Sequence, residues 1–276
     1  MSSLFAAWLV PTLALLLAGL FAGFAGGLFG IGGGFVVVPA LIAMLPLLGG
    51  DHAQFAHVAI GTSAATIIVT SIRSVMSHAK RGAVDFTVLR QWAPWIVIGD
   101  GLGVILASHV DGKVLTLIFA TGVLLMSLNF LLPKLGGKVI AQEMPSGLLR
   151  VSIAGGLGTF SSLLGIGGGT IAIMVMTLCG RSIHKAVATA SGIGTLIAIP
   201  SAIGFAIIGF REQGLPWGSL GYVNMPAAII IACMSIITAP LGVAAAHKLQ
   251  PEMLRRVFGF YLVFVSFLMF RSALKF

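Results

Sequence analysis

Charge is scarce in this chain, and that scarcity restricts its class more than any other feature. Charged residues make up 8% of 276 positions and hydrophobic residues 58%. A soluble globular chain carries about a quarter charged residues. Here 16 Lys and Arg and 7 Asp and Glu are too few to coat a dispersed protein of this length. Cysteine is nearly absent as well. Cys179 and Cys233 each stand alone in an apolar run, which excludes a disulfide framework and a thiolate metal site. Both read as small core residues, although Cys179 also ends a short segment beside the candidate site described below.

Other absences narrow the class further. No G-x-G-x-x-G or Walker spacing occurs, so nothing here binds ATP and primary transport would need a separate subunit. The histidines (His52, His57, His78, His109, His184 and His247) fall at expected span ends or in loops. None pairs with another at metal-ligand spacing beside a carboxylate. They read as interface residues, and no metal or other cofactor is expected. The net charge of +9 is spread singly or in pairs between apolar runs, so no basic face exists for nucleic acid. Strand-length alternation of the outer-membrane barrel kind is missing. No basic residue precedes the first apolar run, so the segment from Met1 to Gly23 reads as a first span and not a signal peptide.

What remains is apolar helix in runs of roughly 18 residues or more, long enough to cross about 30 Å of hydrocarbon. The chain also repeats itself. Gly30-Ile31-Gly32-Gly33-Gly34 recurs as Gly165-Ile166-Gly167-Gly168-Gly169. Upstream, the row Gly19, Gly23, Gly27 matches Ala154, Gly158, Ser162. Downstream, the stretch from Val58 to Ser63 resembles that from Ala186 to Ser191, Val84-Asp85 matches Val223-Asn224, and Leu102-Gly103-Val104 matches Leu241-Gly242-Val243. Several matches in one order argue for duplication. The expected organisation is one membrane domain: a repeat over 1–132, a polar cytoplasmic linker over 133–146 and a second repeat over 147–276. The expected spans lie near 5–26, 57–77, 86–108 and 114–132, then 147–163, 184–209, 225–247 and 252–274. Short segments at 35–48 and 170–180 follow the two Gly-rich breaks.

Basic residues orient the halves. With the loop at 78–85 in the cytoplasm, that side holds Arg73, Lys80, Arg81, Arg90, Lys134, Lys138, Arg150, Arg181, Lys185, Lys248, Arg255 and Arg256. The other side holds only Lys113, Arg211, Arg271 and Lys275. This is a positive-inside asymmetry. It turns the loop at 78–85 inward and its partner at 211–224 outward, so the halves are inverted and both termini lie outside the cytoplasm. The fold class expected is thus an all-α integral membrane protein of two inverted repeats, each with a Gly-rich broken or re-entrant helix pair. In inverted-repeat transporters the site lies near the midplane, where the repeats meet.

The breaks are the candidate site. Consecutive glycines disfavour helix by about 1 kcal/mol each, and unpaired backbone in lipid must face protein or water. Unwound N–H groups and the positive end of the following helix together suit an anion. The residues are Gly30, Gly32, Gly33 and Gly34, with Gly165, Gly167, Gly168 and Gly169. The spaced glycines upstream serve close helix packing instead. Thr62, Ser63, Thr189 and Ser191 are the second group; their hydroxyls either donate to the anion or bond helix carbonyls. Asp100 is the one acid well inside a span, and its repeat partner is Ala239. It is the candidate for proton coupling, or else an acid near a span end bonded to water or freed backbone.

The doubled Gly-Ile-Gly-Gly-Gly break, the Val38-Pro39 segment, the Ala-Val-Ala-Thr-Ala-Ser stretch at 186–191, Ser219-Leu220-Gly221-Tyr222-Val223 and Ala239-Pro240-Leu241-Gly242 resemble the TauE/SafE sulfite-exporter family. The resemblance covers nearly the whole chain. It implies a bacterial inner-membrane carrier for sulfite, sulfonates or related small organic anions, driven by an ion gradient, with the breaks and the Thr and Ser positions after them as its site. Pro39 departs from the symmetry, since Met174 stands at the matching place. The expected partners are a small anion and the lipid bilayer; a homodimer is compatible with this reading. An anion channel is the alternative. An intramembrane hydrolase using Ser63 or Ser191 would need a neighbouring histidine and an oxyanion hole.

Overall fold

The computed structural model describes residues 2–132, 141–246, 248 and 251–274. Lys134, Lys138, His247 and Lys275, assigned above to loops and ends, lie outside the described residues. The chain is almost wholly helical. The first half runs α1 (Ser2–Phe29), α2 (Gly34–Met44), α3 (Phe55–Ala79), α4 (Phe86–Ser108) and α5 (Gly112–Leu131). The second runs α6 (Gly147–Leu164), α7 (Gly169–Leu178), α8 (Ile183–Ile208), α9 (Met225–Ala246) and α10 (Pro251–Ala273). Each expected span falls on a helix, with ends within about a turn. A two-stranded hairpin, β1 (Ser219–Leu220) against β2 (Val223–Asn224), lies before α9.

Side-chain capping sets several helix starts. The Asp85 carboxylate accepts from the amides of Thr87 and Val88 at 3.1 Å, and Asn224 Oδ1 accepts from Ala227 N at 3.1 Å. These satisfy first-turn amides that a helix leaves orphaned. Among the described residues seven helices are long and apolar enough to cross a membrane. Helix α4 has comparable length, with 23 residues, but carries Arg90, Gln91 and Asp100 and is more polar. Helices α2 and α7 have 11 and 10 residues. At 1.5 Å per residue they reach only about half the hydrocarbon thickness.

The burial pattern inverts that of a soluble protein. Phe21, Leu102, Ile203, Ile207, Ile237, Phe264 and Phe267 face outward, while Thr62, Ser63, Ser71, Asp100, Thr189 and Ser191 are buried. Apolar side chains outside and hydroxyls inside are what lipid as solvent demands. The chain is an all-α, multi-pass membrane protein.

Four helix pairs dominate the packing: α1 with α9, α4 with α6, α3 with α8, and α5 with α10. Small residues bring the first two pairs together. On α1, Gly19, Gly23 and Gly27 lie against the backbones of Ile231, Ser235 and Ala239. Ser235 Oγ donates to Gly19 O at 3.0 Å. On α4, Gly99 and Gly103 lie against Gly155 and Thr159 of α6, and Thr159 Oγ1 donates to Gly99 O at 2.8 Å. Close backbone approach of this kind replaces the hydrophobic drive that lipid removes. The packing role assigned to Gly19, Gly23 and Gly27 is thus seen directly. Of the cysteines, Cys179 is buried but Cys233 is exposed on the outer face of α9, so only the first is a core residue.

Backbone bonds tie the ends of the short helices to loops. After α2, a 3-10 turn over Leu45–Leu48 leads to two contacts with the loop before β1: Asp51 N donates to Gly214 O at 2.7 Å and Trp217 N to Leu48 O at 3.3 Å. At the end of α7, Leu178 O accepts from Ala141 N of the linker at 3.2 Å.

Candidate functional site

Both Gly-Ile-Gly-Gly-Gly runs are breaks in helix. Gly30, Gly32 and Gly33 have φ of 66°, 76° and 84°, and Gly165 and Gly168 have φ of 60° and 64°. This is the left-handed region, where a Cβ is penalised. Gly33 and Gly168 are the N-caps of α2 and α7, and neither helix start has a side-chain cap. Their first-turn amides therefore lack side-chain acceptors, at the positive end of each helix.

The breaks meet each other. A Cβ on Gly34 would strike Gly165 O and lie 3.0 Å from Ile166 Cα. Reciprocally, a Cβ on Gly169 would strike Gly30 O and lie 2.7 Å from Ile31 Cα. The first residue of each short helix thus abuts the first residue of the opposite break. Ile67, halfway along α3, fills the space between them, touching the Cβ positions of Gly32, Gly34 and Gly167. Gly194, halfway along α8, packs on Gly167. All ten residues of the two runs are buried.

Of the expected hydroxyls, two lie at the breaks and two do not. Ser63 Oγ donates to Gly165 O at 2.8 Å. Ser191 Oγ lies 3.2 Å from the Cβ position of Gly30 and bonds Ser74 Oγ at 2.9 Å and Val187 O at 3.2 Å. Thr62 Oγ1 instead accepts from Asn224 N at 2.8 Å, and Thr189 Oγ1 from Asp85 N at 2.9 Å. Both threonines therefore hold the residue that starts another helix, α9 for Thr62 and α4 for Thr189. Sequence reasoning passed over other hydroxyls. Ser71, Ser161, Thr170 and Thr195 have buried oxygens with no partner among the described residues. Ser161 precedes Gly165 by one helical turn and Thr170 follows Gly169 directly, a proximity legible in the sequence; Ser71 and Thr195 are brought in by folding.

Asp100 is fully buried, eight residues short of the end of α4. Its Oδ1 accepts from Ser201 Oγ of α8 at 2.5 Å, and its Oδ2 has no partner among the described residues. Ser201 stands one helical turn beyond Ile197, whose side chain reaches the Cβ position of Gly168. The acid thus lies within one packed layer of the second break. His52, His57, His78, His109 and His184 hold their expected places at helix ends, but His57 and His78 are buried and not interfacial. His57 Nε2 bonds Ala107 O at 3.0 Å and its ring stacks on Tyr222 at 4.9 Å. Among the described residues no group of His, Cys, Asp or Glu could hold a metal. A surface hollow of about 500 Å³, lined by Ile207, Phe210, Arg211 and Leu220, lies at the far end of α8 and away from the breaks.

Comparison with known proteins gives consistent matches. The profile of the family described as sulfite exporter TauE/SafE matches residues 15–269. A probable membrane transporter protein of Haemophilus influenzae is 33% identical over 257 residues, covering 92% of this chain and 96% of that protein. One from Methanocaldococcus jannaschii is 29% identical, covering 87% of this chain and 88% of its own. One from Bacillus subtilis is 25% identical, covering 91% of this chain and 94% of its own. No solved structure matches.

Proposed function

Because the chain belongs to the sulfite exporter TauE/SafE family of membrane transporters, we propose that it is a secondary transporter for a small anion, sulfite, a sulfonate or a related organic anion, with its site at the two breaks. The observation that carries this reading is the reciprocal contact of Gly34 with Gly165 and of Gly169 with Gly30. It brings two uncapped helix starts together halfway along α3 and α8. Their amides attract an anion without a buried basic side chain, so release needs no strong ion pair to be broken.

Inverted halves account for the packing. Exchange of the halves turns the α1–α9 pair into α6–α4 and leaves α3–α8 and α5–α10 unchanged, and these are the dominant pairs. The same exchange maps the Gly34–Gly165 contact onto Gly169–Gly30. Re-entrant α1–α2 and α6–α7 hairpins are supported by the bonds that join Asp51 N to Gly214 O and Trp217 N to Leu48 O, between the end of the first hairpin and the 209–218 loop region, and by the bond from Ala141 N of the linker to Leu178 O. On this reading α2 returns to the outer side and α7 to the cytoplasmic side of a bacterial inner membrane, with both termini outside. The units are then two repeats, 1–132 and 147–276, joined by a cytoplasmic linker.

Asp100 is the proton-coupling group on this reading. It is buried at mid-span with one free oxygen, and Ser201 and Ile197 connect it to the second break. Complete burial of the breaks favours a carrier with an occluded site over an open channel. Among the described residues Ser63 bonds Gly165 O, and Ser191 bonds Ser74 Oγ and Val187 O, an arrangement that counts against a serine hydrolase.

The test is counterflow into proteoliposomes against sulfite, sulfonates, thiosulfate and short carboxylates. Saturable uptake of a sulfur oxyanion that collapses with the proton gradient is expected. No uptake of any sulfur anion would refute the substrate assignment, and unsaturable flux would favour the channel.

A further inference from the structure

We propose that the two breaks play unequal parts in this site: the second supplies most of the donors to the anion, through the hydroxyls of Ser71, Ser161 and Thr170 and the uncapped amides at the start of α7, and the first closes the site from behind. This inference deepens the transporter reading and rests on it. The three side chains are 1%, 0% and 5% exposed, and their oxygens have no partner among the described residues. A buried hydroxyl without a partner is destabilising, and proteins rarely keep one without a use. Here three come from different helices, α3, α6 and α7: Ser161 and Ser71 lie against Gly168 and Gly194 beside the second break, and Thr170 follows that break in the chain.

Ser161 Oγ lies 2.7 Å from the Cβ position of Gly168, the N-cap of α7. Only glycine leaves that oxygen room, and Gly168 is also in the left-handed region. Thr170 occupies the first turn of α7. Ser71 Oγ lies 2.7 Å from the Cβ position of Gly194, which in turn packs on Gly167. It also lies 3.3 Å from that of Gly32, so it stands between the breaks.

The first break shares Ser71 but lacks the other two hydroxyls. At the repeat offset the counterparts of Ser161 and Thr170 are Gly26 and Phe35, and Phe35 is fully buried in the apolar core. The hydroxyl nearest Gly30 belongs to Ser191, which is already engaged by Ser74 and Val187. The first break therefore acts as a wall, its Gly30 and Ile31 backbone closing the space behind Gly169 and Gly167.

The chemistry selects the ligand class. Amides donate only, and hydroxyls donate readily to an anion. Among the described residues the one fully buried charged side chain is acidic, and no buried Lys or Arg is present. Donors from three helices suit an anion with three oxygens around one centre, the sulfo head of sulfite or a sulfonate. A planar two-oxygen carboxylate leaves one donor unused.

The test uses the full-length protein in detergent and in proteoliposomes, with sulfite and methanesulfonate as probes and acetate as the two-oxygen comparison. The variants are Ser161→Ala, Thr170→Val and Ser71→Ala. Ser127→Ala on α5, whose hydroxyl bonds only Leu124 O at 2.6 Å, is the comparison. Each site variant is expected to raise the half-saturating sulfite concentration about tenfold or more, the loss of one bond to a charged group. Without anion, each should melt no lower than wild type, because the group removed is an unpaired one. Sulfite should raise the melting temperature of wild type and Ser127→Ala but not of the site variants. Wild-type transport with unchanged affinity in all three variants would overturn this inference and leave the transporter reading intact, as would a lowered melting temperature without anion. Wild-type protein that moves no sulfur oxyanion would remove both.

Discussion

One added methyl group at Gly169 probes the contact on which the functional reading rests. The new Cβ would lie 2.7 Å from Ile31 Cα, about 0.7 Å short of the 3.4 Å at which ordinary contact begins, and nearer still to Gly30 O. Both obstacles are backbone, so no side chain can swing aside. The breaks must part, and overpacking of a close-packed interior destabilises by about 1–3 kcal/mol. Gly34→Ala meets Gly165 O and Ile166 Cα in the same way from the other side, so a loss of similar size is expected. The double variant should lose less than the sum, because one separation relieves both contacts. Gly101→Ala is the control: a Cβ there meets nothing within 4 Å, and alanine improves helix propensity by up to about 1 kcal/mol. Thermal unfolding in detergent and counterflow in proteoliposomes give the two readouts. Gly169→Ala is expected to melt lower and to transport poorly, with Gly101→Ala unchanged or more stable. If Gly169→Ala melts and transports like Gly101→Ala, the two breaks do not touch as described and the site assignment falls with them.

Three further outcomes are expected. Asp100→Asn keeps the bond from Ser201 but can no longer gain and lose a proton, so anion flux should lose its pH dependence; a pH profile matching wild type removes Asp100 from the coupling. Thr62→Val leaves the buried amide of Asn224, and Thr189→Val the part-buried amide of Asp85, without its acceptor. Each should lower stability by about 1–3 kcal/mol without changing the half-saturating anion concentration, and a selective affinity loss would return these threonines to the site. A C-terminal reporter that functions only in the cytoplasm should stay silent; an active one would overturn the assignment of the C-terminus to the outer side.

The helices were legible because lipid imposes a simple rule. A span must be long, apolar and internally bonded, and that rule acts on the sequence locally. The breaks were legible for the same reason, since consecutive glycines oppose helix wherever they stand. The packing role of Gly19, Gly23 and Gly27 also followed from spacing alone. The hydroxyls did not separate so cleanly. Thr62 and Ser63 are neighbours, yet the helix turns them to different partners: Thr62 to the N-cap of α9 and Ser63 to the carbonyl of Gly165. A helix advances about 100° per residue, so adjacent side chains serve different surfaces, and only the packing of α3 reveals which surface is which. Ser71 lies eight residues beyond Ser63 and 123 before Gly194, and nothing local marks it.

The sequence by itself therefore determined the solvent, the helical class, the doubled Gly-Ile-Gly-Gly-Gly motif and the two places where helix fails. Those features follow from composition and short-range backbone preference. Only the tertiary structure decided that the two breaks abut through Gly34 and Gly165 and through Gly169 and Gly30. It also decided that Thr62 and Thr189 serve helix caps, and that the unpartnered hydroxyls of Ser161 and Thr170 stand at the second break. The physical reason is that an unsatisfied hydrogen-bonding group is defined by what surrounds it, and its surroundings come from distant parts of the chain.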